Sequence, residues 1–524
     1  QQPEVAERYR ARFPWLLVDE FQDTNRVQFD LLKQLTTSSS NVCVVGDPDQ
    51  SIYSFRGAEV RNILEFEDQF PGTVVVRLEQ NYRSTRTILR AAEHVIANNK
   101  QRKHKSLRTD NEAGELLYRF RAGGPAEEAD AIADRIHALH GQGTALDQIA
   151  VFYRAHWLSR SLEQAMKDKG IPYEIIGGLT FFERREIKDL LAYLRVLVNP
   201  LDDVSMDRIV NVPPRGLGKA SIDKLRAAAA TAGLSLREAV ADPGCHAALG
   251  TKAKNSLLTL AQVLDDAQAA TVLGVHGALK TILDGTDYLD YATGLGDPED
   301  RAREENIQEL VSDVVEYDQK VAEGLPGYLQ HVSLLTSADR DGDGPAVPLM
   351  TVHAAKGLEF DHVFIAGLEE GVFPSMRSVE DNADFEEERR LMYVALTRGR
   401  KTVFLSHARE RMVAGQLQHM QSSRFLKELP RDCLQEYDQQ WRRWDSTRDG
   451  DPEPQWSVDP DPEVDAAIQP GARVRHATFG DGTVRSLSGA GTTGRALVRF
   501  DDGLERTLIL EYAGLRVLEG GTSW

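Results

Sequence analysis

The sequence predicts an α/β protein with parallel-sheet domains, a mostly helical insertion and a small β-barrel toward the carboxyl end. Three observations carry this expectation. Short apolar runs that end in polar residues, such as "WLLVDE", "NVCVVGD" and "TVVVRLEQN", alternate with segments of helical periodicity. That pattern belongs to parallel strands whose ligand lies at their carboxyl ends. From about residue 178 to 343 the texture changes to long Ala- and Leu-rich amphipathic segments. Beyond an acidic, Pro-rich stretch, brief alternating runs are separated by glycine turns.

Residues 1–79 form the first α/β domain. A helical lead-in precedes "WLLVDE", "RVQFDLLKQLT" has helical spacing, and Asp19, Glu20 and Asp47 fall at strand ends. Residues 80–177 repeat the pattern through "ELLYRF", "QIAVFYRA" and "YEIIGG", with "AEEADAIADRIHALH" as an intervening helix. Residues 178–345 are expected to be helical, as in "KDLLAYLRVLV" and "SIDKLRAAAATAG". Sheet texture returns over 346–430 in "PLMTVHAAKGLEFDHVFIAGL" and "KTVFLSHA". The helical block is therefore an insertion in the second α/β domain. Residues 431–468, which include "STRDGDPEPQWSVDPDPEVD", form an acidic linker, and 469–519 a barrel of about fifty residues. The acidic run "VEDNADFEEE" (379–388) reads as a loop entering the solvated face of a helix.

A length of 524 residues fits roughly three or four domains, and 41% hydrophobic with 27% charged residues is the balance of a globular protein. No apolar stretch reaches the roughly 20 residues of a membrane helix and no signal peptide is evident, so no membrane partner is expected. Cys43, Cys245 and Cys433 supply neither a CxxC pair nor a disulfide framework, and a reducing cytoplasm is the expected location. The net charge of −19 argues against a general nucleic-acid coat. It leaves room for a focused aromatic or basic groove.

The paired acids Asp19 and Glu20 suit magnesium binding and proton removal from an attacking water. Their rival reading is a pair of strand-end acids used in helix caps or ion pairs. Gln50, after "GDPD", can sense a γ-phosphate or orient water, or can be a plain turn residue. "SIYSFRGA" sets Tyr53, Phe55 and Arg56 together, a sequence-tolerant stacking platform for single-stranded bases unless Phe55 belongs to a core. "PPRGLGKAS" places Gly216, Gly218 and Lys219 at a helix start whose amides can hold a phosphate, or merely cap the helix.

Five blocks, "LLVDEFQDTN", "VVGDPDQSIYSFRGA", "LEQNYRST", "LMTVHAAKGLEFDHVFI" and "EEERRLMYVALTRGR", resemble those of superfamily 1A DNA helicases of the UvrD/PcrA/Rep group in order and spacing. "FFERREIKDLLAYLR" and "SSRFLKELP" match the same style, so the resemblance covers essentially the whole chain. It implies two RecA-like domains (1A and 2A), a helical domain 2B inserted in 2A, and a Tudor/SH3-like tail. The implied activity is that of an ATP-dependent 3′→5′ helicase or translocase of DNA repair or replication restart. ATP and Mg²⁺ would be its cofactors, and single-stranded DNA and single-strand/duplex junctions its substrates.

The resemblance makes Arg83 and Arg398 arginine fingers, a role suited to a planar fork that neutralises phosphoryl charge. For a lone Arg, a surface salt bridge is the rival. It also puts Tyr82 on the adenine, Glu359 on the ribose, Asp19 on Mg²⁺ and His353 on the DNA backbone, and makes the Gly216–Lys219 turn a duplex contact. The tail would dock RNA polymerase or a repair protein. Two departures stand out. Phe55 occupies a position where the family commonly has Trp, and Val413-Ala414-Gly415 lacks the family's aromatic before the glycine.

The sequence contains no GxxxxGK[ST], and "GLGKAS" lacks the leading glycine. The expectation is a truncated chain that starts after the family's phosphate loop, leaving the first α/β domain incomplete and this polypeptide alone without ATPase activity. Two other readings compete: a non-catalytic DNA- or partner-binding fragment, and a metal-dependent nuclease using Asp19, Asp47 and Asp49.

Overall fold

The computed structural model describes residues 3–37, 41–103, 105–294, 296, 299–321, 323–337, 344–375, 382–437, 472–476, 480–488, 495–501, 505–509 and 516–517. It divides into two compact units, Gln1–Ser446 and Thr447–Trp524.

The first unit contains a two-stranded parallel sheet of β1 (Trp15–Val18) and β2 (Asn41–Val44). It also holds a large sheet built from β3 (Leu117–Ala122), β4 (Ile149–Tyr153), β5 (Tyr173–Ile176), β6 (Val347–Thr351), β7 (Phe360–Ile365), β8 (Gly399–Ala408) and β11 (Leu434–Tyr437). Their order is β11-β3-β8-β7-β4-β6-β5, and every neighbouring pair is parallel. β4 lies between β7 and β6, so strands from either side of the helical block interleave in one sheet. β9 (Glu410–Val413) and β10 (Gln416–His419) form a separate hairpin.

β4 is buried along its whole length, as an apolar run in a parallel sheet covered on both faces must be. Its side chains alternate between two cores. Ala150 and Phe152 join Met350, Val363, Val403 and the helices Arg86–Ile96 and Asn382–Leu396. Ile149, Val151 and Tyr153 join Leu349, Phe364 and the helices Pro125–Gly141 and Ser159–Asp168. Between β5 and β6 the chain is helical, from Arg185–Val198 to Gly324–Ser337, around a separate apolar cluster.

In the tail, β12 (Arg473–His476), β13 (Gly480–Ser488), β14 (Arg495–Phe500), β15 (Glu505–Ile509) and β16 (Arg516–Val517) make an antiparallel sheet of order β15-β14-β13-β12-β16. Val474, Val484, Ala496, Val498 and Phe500 form its core. Gly482 allows the close strand approach, since a Cβ there would lie 2.9 Å from the Arg499 carbonyl.

Two expectations are revised. "TVVVRLEQN" is not a buried strand: residues 73–79 form no ladder, and Val74, Val76 and Leu78 are exposed. The β1–β2 sheet has no paired edge there to bury it. The acidic run up to Glu388 is not simply a solvated face, because several of its carboxylates have specific partners. Glu386 accepts the Lys100 and Gln101 N–H groups, Glu387 accepts the Ser54 N–H, and buried Glu388 pairs with Arg154. Residues 376–381 of that loop lie outside the described residues, as does the linker from 438 on.

Candidate functional site

β1 delivers Asp19 and Glu20 to an open cavity of about 360 Å³ that Asp23 also lines. Glu20 has φ 48°, in the left-handed region that a glutamate rarely adopts, and such strain clusters at functional sites. Its own N–H donates to Asp19 Oδ1 at 2.8 Å, and its Oε2 accepts Gln22 Nε2 at 2.5 Å. Gln22 is buried and fixed in turn, its Oε1 accepting the Asp47 N–H at 2.9 Å. Asp47 Oδ2 accepts Gln50 Nε2 at 2.9 Å, which orients the predicted sensor amide.

The three acids of the nuclease reading are not gathered around one point. Asp47 pairs with Lys105, Asp49 with Arg102 at 2.9 Å and Lys105 at 3.2 Å, and no metal-holding acid, His or Cys group exists among the described residues. Asp19 is exposed. A single carboxylate suits water-mediated Mg²⁺, which keeps several waters and takes one or two carboxylates plus substrate phosphates. The donor set therefore fits a metal that arrives with a nucleotide.

Arg83 and Arg398 are brought together from opposite parts of the chain. Arg83 Nη1 donates to the Thr397 carbonyl at 3.3 Å, and its Nε donates to Glu359 Oε2 at 2.5 Å. Arg398 is 2% exposed and, among the described residues, bonds only to neutral oxygens: the carbonyls of Val394 and Leu358 and the Thr397 hydroxyl, each at 3.2 Å. Burial, then the neighbouring Arg83 charge, push its pKa down to about 10, while Tyr393, then Glu359 and Glu20, oppose the shift. Glu359 is held below the usual carboxylate range, first by its hydrogen bond from Arg83. Tyr82, beside this pair, is 82% exposed with its ring free to stack.

Tyr53, Phe55 and Arg56 come together in one cluster. The Tyr53 and Phe55 ring centroids are 6.0 Å apart, and the Arg56 guanidinium lies 5.4 Å from each. Phe55 is 53% exposed, so its ring is not a core residue. His353 packs edge-on to Phe55 at 5.4 Å, and its carbonyl accepts the Tyr53 hydroxyl at 3.2 Å. Burial, helped by Arg154 and Arg56, lowers the His353 pKa to about 3, so its ring is neutral at neutral pH.

In the helical block, Gly216 has φ +71° and Gly218 caps the helix Lys219–Ala232, with Lys219 exposed. Lys252, from the first turn of Thr251–Ala270, lies beside Gly216, where a Cβ would come within 3.9 Å of its ammonium. Leu217 within this turn belongs to a separate hydrophobic core.

Sequence reasoning missed Lys105, Lys252 and, above all, Lys356. Lys356 follows β6 inside "TVHAAKG", yet its ammonium pairs with Asp23, sits 3.3 Å from Glu20 and donates to the Gln50 carbonyl at 2.8 Å. Lone lysines carry no periodic signal, so only the tertiary structure reveals them.

Residues 1–71 match the family model of the UvrD/REP helicase N-terminal domain and 76–410 that of the UvrD-like helicase C-terminal domain. The chain is 43% identical over 443 residues to the ATP-dependent DNA helicase PcrA of Bacillus subtilis, covering 83% of this chain and 60% of that protein. It is 38% identical over 519 residues to DNA helicase II of Escherichia coli, covering 98% and 71%. Against the ATP-dependent DNA helicase UvrD1 of Mycobacterium bovis it is 38% identical over 543 residues, covering 95% and 69%. The chain thus spans 60–71% of the length of these relatives.

Proposed function

The chain belongs to the UvrD/PcrA group of superfamily 1 helicases, and on that premise we propose that it works in an ATP-driven helicase that moves 3′→5′ on single-stranded DNA and opens duplex ahead of it. β1–β2 would be part of the first RecA-like domain (1–79), and the seven-stranded sheet the second (80–177 and 346–430). The helical block (178–345) would be the inserted domain and the tail (469–519) a Tudor-like barrel.

Glu20 takes the proton of the attacking water, and Gln50 senses the terminal phosphate. Arg83 and Arg398 neutralise the charge that spreads over the phosphoryl oxygens. Tyr82 stacks on the adenine, Glu359 receives the ribose hydroxyls once Arg83 turns to phosphate, and Asp19 holds the metal through water. Magnesium, when bound, supplies charge neutralisation across the phosphates. Tyr53, Phe55 and Arg56 stack the single-stranded bases, His353 touches the strand, and Gly216, Gly218 and Lys219 grip a duplex phosphate. A repair or replication-restart role in the cytoplasm, with RNA polymerase or a repair protein on the tail, completes the reading.

The observation that carries it is Arg398: a buried guanidinium without a carboxylate partner, beside a second one, on the side where Glu20's charge reaches it. Such a pair is stable in company with an anion. The test is DNA-stimulated ATP hydrolysis by the full-length gene product. Arg398→Ala should lower kcat by about 10³-fold or more while nucleotide affinity stays within about fivefold. Equal loss of both would remove the finger role. Unwinding of a duplex with a 5′ tail but not a 3′ tail would overturn the polarity. Single-strand binding without any turnover would favour the non-catalytic reading.

A further inference from the structure

We propose that Lys356 is a positioning residue that links the single-strand platform to the strand-end acids, so that a base stacking on Tyr53 changes how Glu20 is held. The inference rests on the function proposed above and adds a residue to it.

The geometry places Lys356 at one junction. An ammonium has three donors, and Lys356 has three oxygens around it: Asp23 Oδ2, the Gln50 carbonyl at 2.8 Å and Glu20 Oε2 at 3.3 Å. All three lie between residues 20 and 50, whereas Lys356 comes from the loop after β6. The Lys356 and Asp23 side chains are 7% and 16% exposed, so water does little to screen that pair, while Glu20 at 58% remains open to solvent. On its other side the ammonium stands 5.4 Å from the Tyr53 ring centroid, within cation–π range.

The same loop touches the platform again. The Tyr53 hydroxyl donates to the His353 carbonyl at 3.2 Å, and the His353 ring meets Phe55 at 5.4 Å. A base that shifts Tyr53 or Phe55 therefore acts on residues 353–356 through two contacts.

The acid end is equally constrained. Among the described residues, Glu20 has two side-chain partners on its carboxylate, Gln22 Nε2 at 2.5 Å and Lys356, and Gln22 is itself locked against Asp47. Lys356 is thus the one of the two that belongs to a different part of the chain. Burial raises the Asp23 pKa while the Lys356 bond and charge oppose that shift, which ties the ionisation of Asp23 to the position of Lys356. A lysine suits the place better than an arginine, because a compact ammonium satisfies three convergent oxygens where a planar fork cannot.

The test is a double-mutant cycle on this chain, read as the dissociation constant of a fluorescently labelled oligo-dT by anisotropy. Asp23→Asn keeps Lys356 in place and removes its strongest anchor, and Lys356→Met removes the link at similar volume. The inference expects Asp23→Asn to change the dissociation constant about fivefold in the wild-type background and not at all in the Lys356→Met background. Additive effects of the two substitutions overturn it. So does an Asp23→Asn variant with unchanged affinity and melting midpoint.

In the full-length gene product, Lys356→Met should lower the DNA stimulation of hydrolysis about tenfold with little change in KM for ATP, a split that a general structural defect would not give. Lys356→Arg should restore charge but little of the stimulation. A wild-type chain that binds no oligonucleotide would sink the platform and this inference together. Binding with additive mutant effects would sink the inference alone.

Discussion

Replacing Arg398 by Met and, separately, Arg411 by Met should have unequal thermal consequences, although both arginines are 2% exposed. Arg411 Nε and Nη2 bond Glu369 at 2.6 and 2.8 Å, and Nη2 also pairs with Glu128. Removing it leaves two buried carboxylates facing each other, a loss of about 3–5 kcal/mol. At about 2.1 cal/mol/K per residue, a unit spanning Gln1–Ser446 shifts by about 1 °C per kcal/mol, so the melting midpoint should fall by about 3–5 °C.

Arg398 has no such partner. A pKa lowered from 12.5 to about 10 means that the folded site disfavours its charge by roughly 3 kcal/mol. The sign is clear: this penalty is fully present below the folded value, hence at neutral pH, and disappears only above the unfolded one. Met at 398 relieves it and forfeits three hydrogen bonds of 3.2 Å, at about 1 kcal/mol each. The two nearly cancel, so the midpoint should stay within about 1 °C of wild type. Differential scanning fluorimetry of both variants measures this. If Arg398→Met melts as early as Arg411→Met, Arg398 is a structural residue and the phosphate-finger argument fails.

Phe55→Ala should weaken single-strand affinity by about 5- to 150-fold for one lost stack, and Phe55→Trp should match or exceed wild type; unchanged anisotropy titrations would refute the platform. Lys219→Ala should lower duplex affinity and make the log-affinity against log-salt slope shallower by about 0.9, and an unaltered slope would mean that Lys219 meets no phosphate. His353, His156 and His407 have pKa values lowered to about 3, 4 and 4, in each case first by burial. The unfolded chain then binds more protons below pH 6.5, so stability is fully present above that value and is lost as pH falls toward 4. His407→Gln should reduce the drop in melting midpoint between pH 7 and 4.5, and an equal drop in the variant would contradict the burial argument.

The parallel sheet was legible because its strands are apolar throughout, as β4 is, and because the change of texture near residue 178 separates strand-rich from helical chain. Strand-end positions of Asp19, Glu20 and Asp47 followed from the same runs. "TVVVRLEQN" misled because an apolar run states a need for burial, and no ladder in the described residues meets it. The acidic run to Glu388 misled for the opposite reason: charge suggested solvent, while Arg154 and three backbone N–H groups took the carboxylates. Lys356 was unreadable because its partners lie more than 300 positions away in the chain.

Those distant partners share a chemical character that bears on how the site works. Residues 19–62 meet the described residues from 80 to 437 largely through polar contacts. Lys356 reaches Asp23 and Glu20, Lys105 reaches Asp47, Arg102 reaches Asp49, Glu387 takes the Ser54 N–H, and Arg390 donates to the Ser51 carbonyl at 2.8 Å. Ile52 and part of Tyr53 supply the apolar share, in the core beside Ile88 and Met350. Apolar packing holds two bodies at one fixed separation, because its interdigitated side chains tolerate little sliding. Ionic contacts are exchangeable: a cation released from one carboxylate can be taken up by another anion at similar distance. A triphosphate entering between Glu20 and Arg398 would offer such anions and compete for Arg83, now on Glu359, as it would for Lys356 on Asp23. Such a joint can be rewritten by the charge of a ligand, as the proposed nucleotide-driven function requires.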